Sequence, residues 1–382
     1  MNTDEITLPL KQPVGLASGE VVERSDDAVV IQFPGRRNVL STSWMNGGYH
    51  GELKTVFNHQ ISLEACEVCH TGDGSVQQYL NGVARNLGLD PETATGLITR
   101  AEMKNTVIVK ESFRDLTVTA IVTAGIARNG GRAGDPASYY ENGNSVEPVG
   151  GTINTILLIN ANLPEYTMTR AVMTATEAKA AALQQMMARS IYSTGIATGS
   201  GTDMIVIVAD PCSSRHLSNA GKHSKLGELI GRTVMQAKHA ALERETGLSP
   251  ASQRDVLVRL SRFGVTEEDI WKTAIQAGSI NLARMEERER FLQYLRSWAR
   301  EPGTVARAAA ALHVVDEAGW GLLPHDAARD AIIRILHEGE INIPTGVNPP
   351  LWCFLTMLTS SCLMTYPNNP SGFINPDIFR ES

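Results

Sequence analysis

Apolar and polar positions follow two different regimes along the chain, and the change comes near residue 248. Before it, short β-branched runs are separated by glycine-rich turns; after it, apolar residues recur at helical spacing. Residues 28–33 and 107–109 read as strands. Leu116–Ala124 alternates apolar and hydroxyl residues, the period-two pattern of a sheet with one wetter face. Residues 153–160 form a near-continuous apolar run, as expected of a central strand, and 166–173 read as a further strand. Thr174 and Glu177 have the spacing of a capping box ahead of an Ala/Met-rich helix running to about Ile191. Gly199-Ser200-Gly201 is a tight turn, 204–209 returns as a strand, and a helix is predicted over roughly 224–245.

Strands and helices mix without strict alternation. The predicted class is therefore α+β, a mixed β-sheet core packed with helices in an N-terminal domain over 1–247. A mostly helical C-terminal region over 248–382 follows, joined through Gly247-Leu248-Ser249-Pro250, where glycine and proline both stop a helix. Its helices are expected at 252–263, 267–277, 284–300, 304–317 and 326–336. From Ile341 the chain is rich in Pro and Asn and reads as extended. No internal repeat is visible, and no chemical motif stands out after residue 250.

Composition narrows the function classes. Hydrophobic residues make up 42% and charged residues 20% of 382 positions, ordinary for a globular protein, and the formal net charge is −7. No Lys/Arg block is present to neutralise phosphates, so nucleic acid is not an expected partner. The longest apolar runs are strand-length, short of a membrane span. The first twelve residues lack the apolar stretch of a signal peptide. Five cysteines in such a chain read as reduced thiols, and the expected compartment is the cytoplasm.

Three segments rich in glycine, hydroxyls and amides carry the candidate chemistry. They run from Thr123 to Asp135, from Gly150 to Asn154 and from Ala197 to Asp203, each where a predicted strand meets a loop. Glycine there lets backbone approach a ligand, and freed N–H groups can hold a developing oxyanion. Singly, each also reads as a tight turn whose Thr and Asn satisfy local backbone groups. Ser200, Thr202 and Thr152 are the candidate nucleophilic hydroxyls, with Asp203, His223, Glu177 or Lys179 as available partners. Asp203, between a glycine-rich turn and an apolar strand, is the preferred general base; it could equally accept hydrogen bonds from the turn's own N–H groups. Glu177 and Lys179 also have a structural role in the predicted helix start.

Other chemistries find less support. Gly199-Ser200-Gly201 lacks a following Lys-Ser/Thr and leads into a strand, unlike a nucleotide-binding loop. His50, His59, His216 and His223 are scattered; Asp203 or Asp135 could join two of them, but no metal-ligand spacing is present and no metal is expected. Cys66-Glu67-Val68-Cys69-His70 matches the attachment motif of c-type haem, but that chemistry needs export, so the motif reads as a chance match, with a redox-labile thiol pair as the alternative.

Taken together, Leu40-Ser41-Thr42-Ser43-Trp44-Met45-Asn46-Gly47-Gly48, Thr123-Ala124-Gly125, Gly134-Asp135-Pro136, Gly151-Thr152-Ile153-Asn154, Thr176-Glu177-Ala178-Lys179, Ala197-Thr198-Gly199-Ser200-Gly201-Thr202-Asp203 and Gly221-Lys222-His223-Ser224-Lys225-Leu226-Gly227-Glu228 carry a resemblance. In that order and spacing, over about residues 13–245, the chain resembles the adenosylcobinamide amidohydrolase family. The resemblance implies removal of aminopropanol from adenosylcobinamide by amide hydrolysis, giving adenosylcobyric acid in cobalamin salvage. It implies a corrinoid small-molecule partner, with cobalt arriving in the substrate and no further cofactor required. It marks the quoted segments as a site without giving roles. Asn46, Asn129, Asp135, Thr152, Asn154, Glu177, Lys179 and Thr198 are then candidate substrate-binding residues. Asp203, His223, Thr202 and Ser200 are the catalytic candidates, with His223 as alternate base or leaving-amine acid. Cys66–His70 and the helical region after 249 fall outside the pattern. The added region leaves room for a binding or homo-oligomerisation role, and the competing reading is a non-catalytic corrinoid carrier.

Overall fold

The computed structural model describes residues 3–62, 76–137, 152–276, 285–336 and 349–367. The Cys66–His70 motif lies outside them. By internal contacts the chain divides into two units, Met1–Pro250 and Ala251–Ser382.

The strands of the first unit are β1 (Thr3–Ile6), β2 (Val14–Gly15), β3 (Val21–Arg24), β4 (Ala28–Gln32), β5 (Asn38–Ser41), β6 (Gly48–His50) and β7 (Thr55–Gln60). They continue with β8 (Ala94–Thr99), β9 (Val107–Phe113), β10 (Leu116–Ala124), β11 (Gly130–Gly131), β12 (Ile153–Ile159), β13 (Gly199–Ser200) and β14 (Met204–Ala209). Its helices are α1 (Val76–Asn86), α2 (Glu165–Gln185) and α3 (Lys225–Thr246). A seven-stranded sheet has the order β1-β9-β10-β12-β14-β5-β6, a five-stranded sheet the order β2-β3-β4-β7-β8, and β11 pairs with β13 alone. The class is α+β, with mixed sheets. Parallel neighbours need a crossover, and both parallel pairs have a helix in theirs: α2 between β12 and β14, and α1 between β7 and β8.

Side-chain alternation sets the layers. Along β10, Leu116, Val118, Ala120, Val122 and Ala124 face α2 and α3 and pack with Ala171, Ala175, Val234 and Ala237. Ile121 points the other way, to Val29, Ile31, Val56 and Leu97 of the five-stranded sheet. Each such aliphatic side chain taken from water contributes roughly 1.5–3 kcal/mol. The hydroxyl face of β10 is dry, contrary to the expectation of a wetter side. Thr119 and Thr123 are buried between the sheets, where Thr123 Oγ1 accepts from Asn58 Nδ2 at 2.9 Å. On the outer face of the five-stranded sheet, α1 buries Leu80, Val83 and Ala84 against Phe57 and Ala94. A Cβ on Gly96 would fall 2.1 Å from the Phe57 ring, so that position admits only glycine.

One predicted strand is a helix. Residues 166–173 form the first half of α2, whose buried residues Thr167, Met168, Ala171, Thr174 and Ala175 recur at helical spacing. Thr174 therefore sits inside the helix and does not cap it; its hydroxyl donates to the Ala220 carbonyl at 2.8 Å. Pro164 is the N-cap, and α2 ends at Gln185. The helix predicted over roughly 224–245 is α3, capped by Ser224 Oγ accepting from Gly227 N at 3.0 Å and closed by Gly247 at φ 70°.

The second unit is mostly helical, comprising α4 (Val256–Leu260), α5 (Glu267–Gln276), α6 (Met285–Trp298), α7 (Pro302–Gly319), α8 (His325–Leu336) and α9 (Pro350–Thr365). Trp271, Phe291, Leu295, Leu312, Ile332, Phe354 and Met357 form its core. The helix expected over 252–263 shrinks to α4 and a 3-10 turn, Ser261–Phe263, closed by Gly264 at φ 73°. The expected extended end is instead helical over α9. Its start places Pro350 at N1, where a missing N–H costs nothing, and Thr356 and Thr359 donate to carbonyls four residues back. No helix among the described residues is long and apolar enough to cross a membrane.

Candidate active site

Polar side chains from several elements meet where β12 and β14 begin. The turn between β13 and β14 folds back on itself through Asp203. Its Oδ1 accepts from Ser200 Oγ at 2.5 Å and from Ser200 N at 3.1 Å. Across the parallel pair, Ile153 N donates to the same oxygen at 3.1 Å, which ties the start of β12 to the start of β14. Oδ2 receives Lys179 Nζ from α2, and both charged side chains are 15% exposed. Thr152 and Thr202, one on each strand's approach, share a hydroxyl hydrogen bond of 2.7 Å.

Gly199 makes this convergence sterically feasible. A Cβ there would lie 2.3 Å from Asp203 Oδ2 and 2.7 Å from Lys179 Nζ. Its lack of a side chain, not any unusual backbone angle, is what the site requires.

A second lysine lies beneath. Lys238 of α3 is fully buried, and its Nζ donates to Thr155 Oγ1 on the helix-facing side of β12. Desolvation pushes its pKa down to about 7; the Asp203 carboxylate opposes that shift and Lys179 reinforces it. A lysine within a helical pattern reads as solvent-facing, so sequence periodicity carried no signal for this residue.

The remaining candidates fall into separate places. Asp135 braces the two-stranded β11–β13 sheet: its Oδ2 accepts from Arg132 N at 2.7 Å and Ser190 Oγ at 2.5 Å. Desolvation works to raise its pKa, but hydrogen bonds from Ser190, Ser193 and the Arg132 N–H together hold it below the usual carboxylate range. Thr198 Oγ1 accepts from Ala133 N at 2.9 Å beside the same small sheet, and Asn129 is fully buried just before β11. Asn154 points between the sheets, donating to Asn58 Oδ1 at 2.7 Å and Ile98 O at 2.9 Å. Asn46, at φ 48°, donates to the Pro91 and Ala94 carbonyls at 2.8 and 2.7 Å and so fixes the loop after β5.

Glu177 and Lys179 part company. Glu177 faces solvent in an ion pair with Lys222 at 2.6 Å, both more than half or about half exposed. His223 is also exposed, one residue before the α3 N-cap. Of the other histidines, His50 Nε2 meets Gly47 O at 3.0 Å and His59 Nε2 meets Tyr79 Oη at 2.9 Å. The structure thus brings together Thr152, Lys179, Ser200, Thr202 and Asp203, adds Lys238, and leaves the rest as small-sheet, loop, inter-sheet and surface residues.

A family model described as adenosylcobinamide amidohydrolase matches residues 13–250. The uncharacterized protein MJ1613 of Methanocaldococcus jannaschii is 36% identical over 230 residues, covering 57% of this chain and 86% of that protein. A Methanosarcina mazei protein named adenosylcobinamide amidohydrolase is 26% identical over 227 residues, covering 57% of this chain and 95% of the relative. The crystal structure of the PH0078 protein from Pyrococcus horikoshii aligns with a TM-score of 0.30 at 13% identity, over 63% of this chain and 83% of that one. The chain belongs to the adenosylcobinamide amidohydrolase family.

Proposed function

From that membership we propose that the protein hydrolyses the amide joining aminopropanol to adenosylcobinamide, releasing aminopropanol and adenosylcobyric acid in cobalamin salvage. The observation that carries the catalytic placement is the meeting of Ser200 Oγ, Asp203 and Lys179 at the start of the parallel pair. In this reading the Asp203 carboxylate takes the proton of the attacking oxygen, either a water, which gives the acid directly, or Ser200 Oγ, whose ester a water then cleaves with the same carboxylate as base. Lys179, on the other carboxylate oxygen, returns a proton to the leaving aminopropanol nitrogen. The Thr152 and Thr202 hydroxyls, which share a hydrogen bond, are assigned in this reading as donors to the developing oxyanion. Of the expected backbone donors, the Ser200 and Ile153 N–H groups are already directed at Asp203. Cobalt enters as part of the substrate, and the compartment proposed is the cytoplasm.

One observation favours a second reading, a corrinoid carrier that cleaves nothing. Asp203 is already met by three hydrogen bonds and an ammonium, which also suits a purely structural pin for the two strands. Incubation with adenosylcobinamide, followed by mass spectrometry, separates the two. Adenosylcobyric acid and free aminopropanol are the expected products; binding without either supports the carrier.

A further inference from the structure

A cavity of about 760 Å³ opens at the opposite edge of the seven-stranded sheet, where β12 and β14 end, and the proposed reaction does not use it. Its wall includes Asn38 at the start of β5, Tyr49 of β6, Asn162, then Glu165 and Tyr166 at the start of α2, and Ser218. A second cavity of about 510 Å³ shares Tyr166 and Ser218 and continues along α2 past Arg170 and Met173. At ~3.3 Å per strand residue this edge lies ~20 Å from Asp203, so one ligand contact does not serve both places. The position beyond the carboxyl ends of parallel strands is where ligands of crossover sheets commonly sit.

Asn38 gives the groove its chemistry. It is 8% exposed, and its Oδ1 is buried without a hydrogen-bond partner among the described residues. A buried amide oxygen left unpaired is costly in a native protein, and this one, closed off from solvent, gains a ligand donor when the Asn38 side chain turns toward the groove that its residue lines. The same amide carries N–H donors, which suits an edge that offers a donor beside an acceptor, as asparagine meets adenine. Tyr49 and Tyr166, 37% and 64% exposed, add flat faces for an apolar body. Glu165 opposes an anionic ligand at this helix start.

We infer that this groove binds a flat, largely apolar ligand whose edge presents a hydrogen-bond donor beside an acceptor, held by the Asn38 amide between Tyr49 and Tyr166. Two parts of the proposed substrate carry such an edge, the ring carboxamides of a corrinoid and the aminopurine of an adenosyl group. The choice of probes therefore rests on the amidohydrolase reading.

The test is equilibrium dialysis of the full chain against dicyanocobinamide, which has the carboxamides without adenosine, and separately against adenosine. Wild type, Asn38→Leu, Tyr166→Ala and Asp203→Asn are compared. The expected result is a site for one of the probes that weakens at least tenfold in Asn38→Leu and in Tyr166→Ala and persists in Asp203→Asn; the probe that behaves so identifies the source. Tyr166 is exposed, so its variant keeps the test open if Asn38→Leu does not fold. Binding of neither probe into the millimolar range overturns the proposal, as does binding lost in Asp203→Asn and kept in Tyr166→Ala. Failure of the amidohydrolase reading shows elsewhere, as no adenosylcobyric acid from wild type. An Asn38-dependent site persisting without that product keeps the groove and removes the reaction.

Discussion

Buried polar groups are used differently at two places, the start of the parallel pair in the first unit and α9 in the second. In the first, Thr152, Lys179, Ser200, Thr202 and Asp203 arrive from three separate stretches of chain and meet at one strand end. In the second, two buried hydroxyls of α9 turn back on their own helix: Thr356 donates to Trp352 O at 3.0 Å and Thr359 to Leu355 O at 2.8 Å. A buried ion pair of the second unit, Arg262 with Asp316 through bonds of 2.8 and 2.7 Å, joins the 3-10 turn after α4 to α7. Polarity that answers its neighbours in sequence satisfies the fold. Polarity gathered across elements, around a carboxylate and beside a sterically required glycine, is where chemistry is to be sought.

The largest expected effect tests that distinction directly. Asp203→Asn should lower adenosylcobinamide turnover by about 10²–10⁴-fold, the usual range for a lost general base, with the circular dichroism spectrum unchanged. Full turnover in that variant would make the convergence a structural pin after all. Next, Arg262→Met leaves Asp316 buried without its partner and should cost the second unit about 3–5 kcal/mol. Urea unfolding followed by tryptophan fluorescence reads this well, because four of the five tryptophans lie after residue 250. Turnover should stay at the wild-type level, and a parallel loss would show that the ion pair matters to the site.

A smaller effect concerns Lys238. Its folded-state pKa, about 7, lies below the 10.5 of the unfolded chain, so folding excludes a proton that the unfolded chain holds. Its destabilising contribution is full below pH 7 and fades as pH rises from 7 to 10.5. Lys238→Met should therefore stabilise the first unit by about 1–4 kcal/mol near pH 7, with the gain shrinking toward pH 10. Hydrogen exchange of the β12 amides at several pH values follows it, and a gain that grows with pH would contradict the sign. The smallest effect belongs to Thr359→Val, which keeps the shape and removes a bond to the helix's own carbonyl. Urea unfolding should move by no more than about 1 kcal/mol.

Legibility in the sequence followed from how local each signal is. The strands β10, β12 and β14 were readable because their patterns of alternation or continuous apolarity are set by burial on one or both faces. The start of α2 was not. Tyr166-Thr167-Met168-Thr169 looks β-like residue by residue, and the helix is enforced by packing of Thr167, Met168 and Ala171 under the sheet. The Thr174 and Glu177 spacing was a coincidence within that helix. In α9, proline and asparagine upstream suggested extended chain, while its threonines satisfied their hydroxyls locally and stayed compatible with helix. The site was readable where glycine and hydroxyls cluster around a strand start, as at 199–203. Lys179 could not be told from Glu177 by spacing, since only the tertiary fold turns one inward and the other to Lys222.

The crossover helix also acts as a gauge. From Glu165 to Lys179, α2 advances ~21 Å at ~1.5 Å per residue, and β12, running the other way, covers ~20 Å at ~3.3 Å per residue. Fourteen helical steps thus retrace one strand, and they deliver an ammonium to the point where that strand began. Each step also turns the side chain by ~100° about the helix axis. One residue added or removed between 165 and 179 would leave the sheet untouched and swing Lys179 off Asp203. Length tolerance in this protein is therefore expected in its turns and denied to the first two-thirds of this helix.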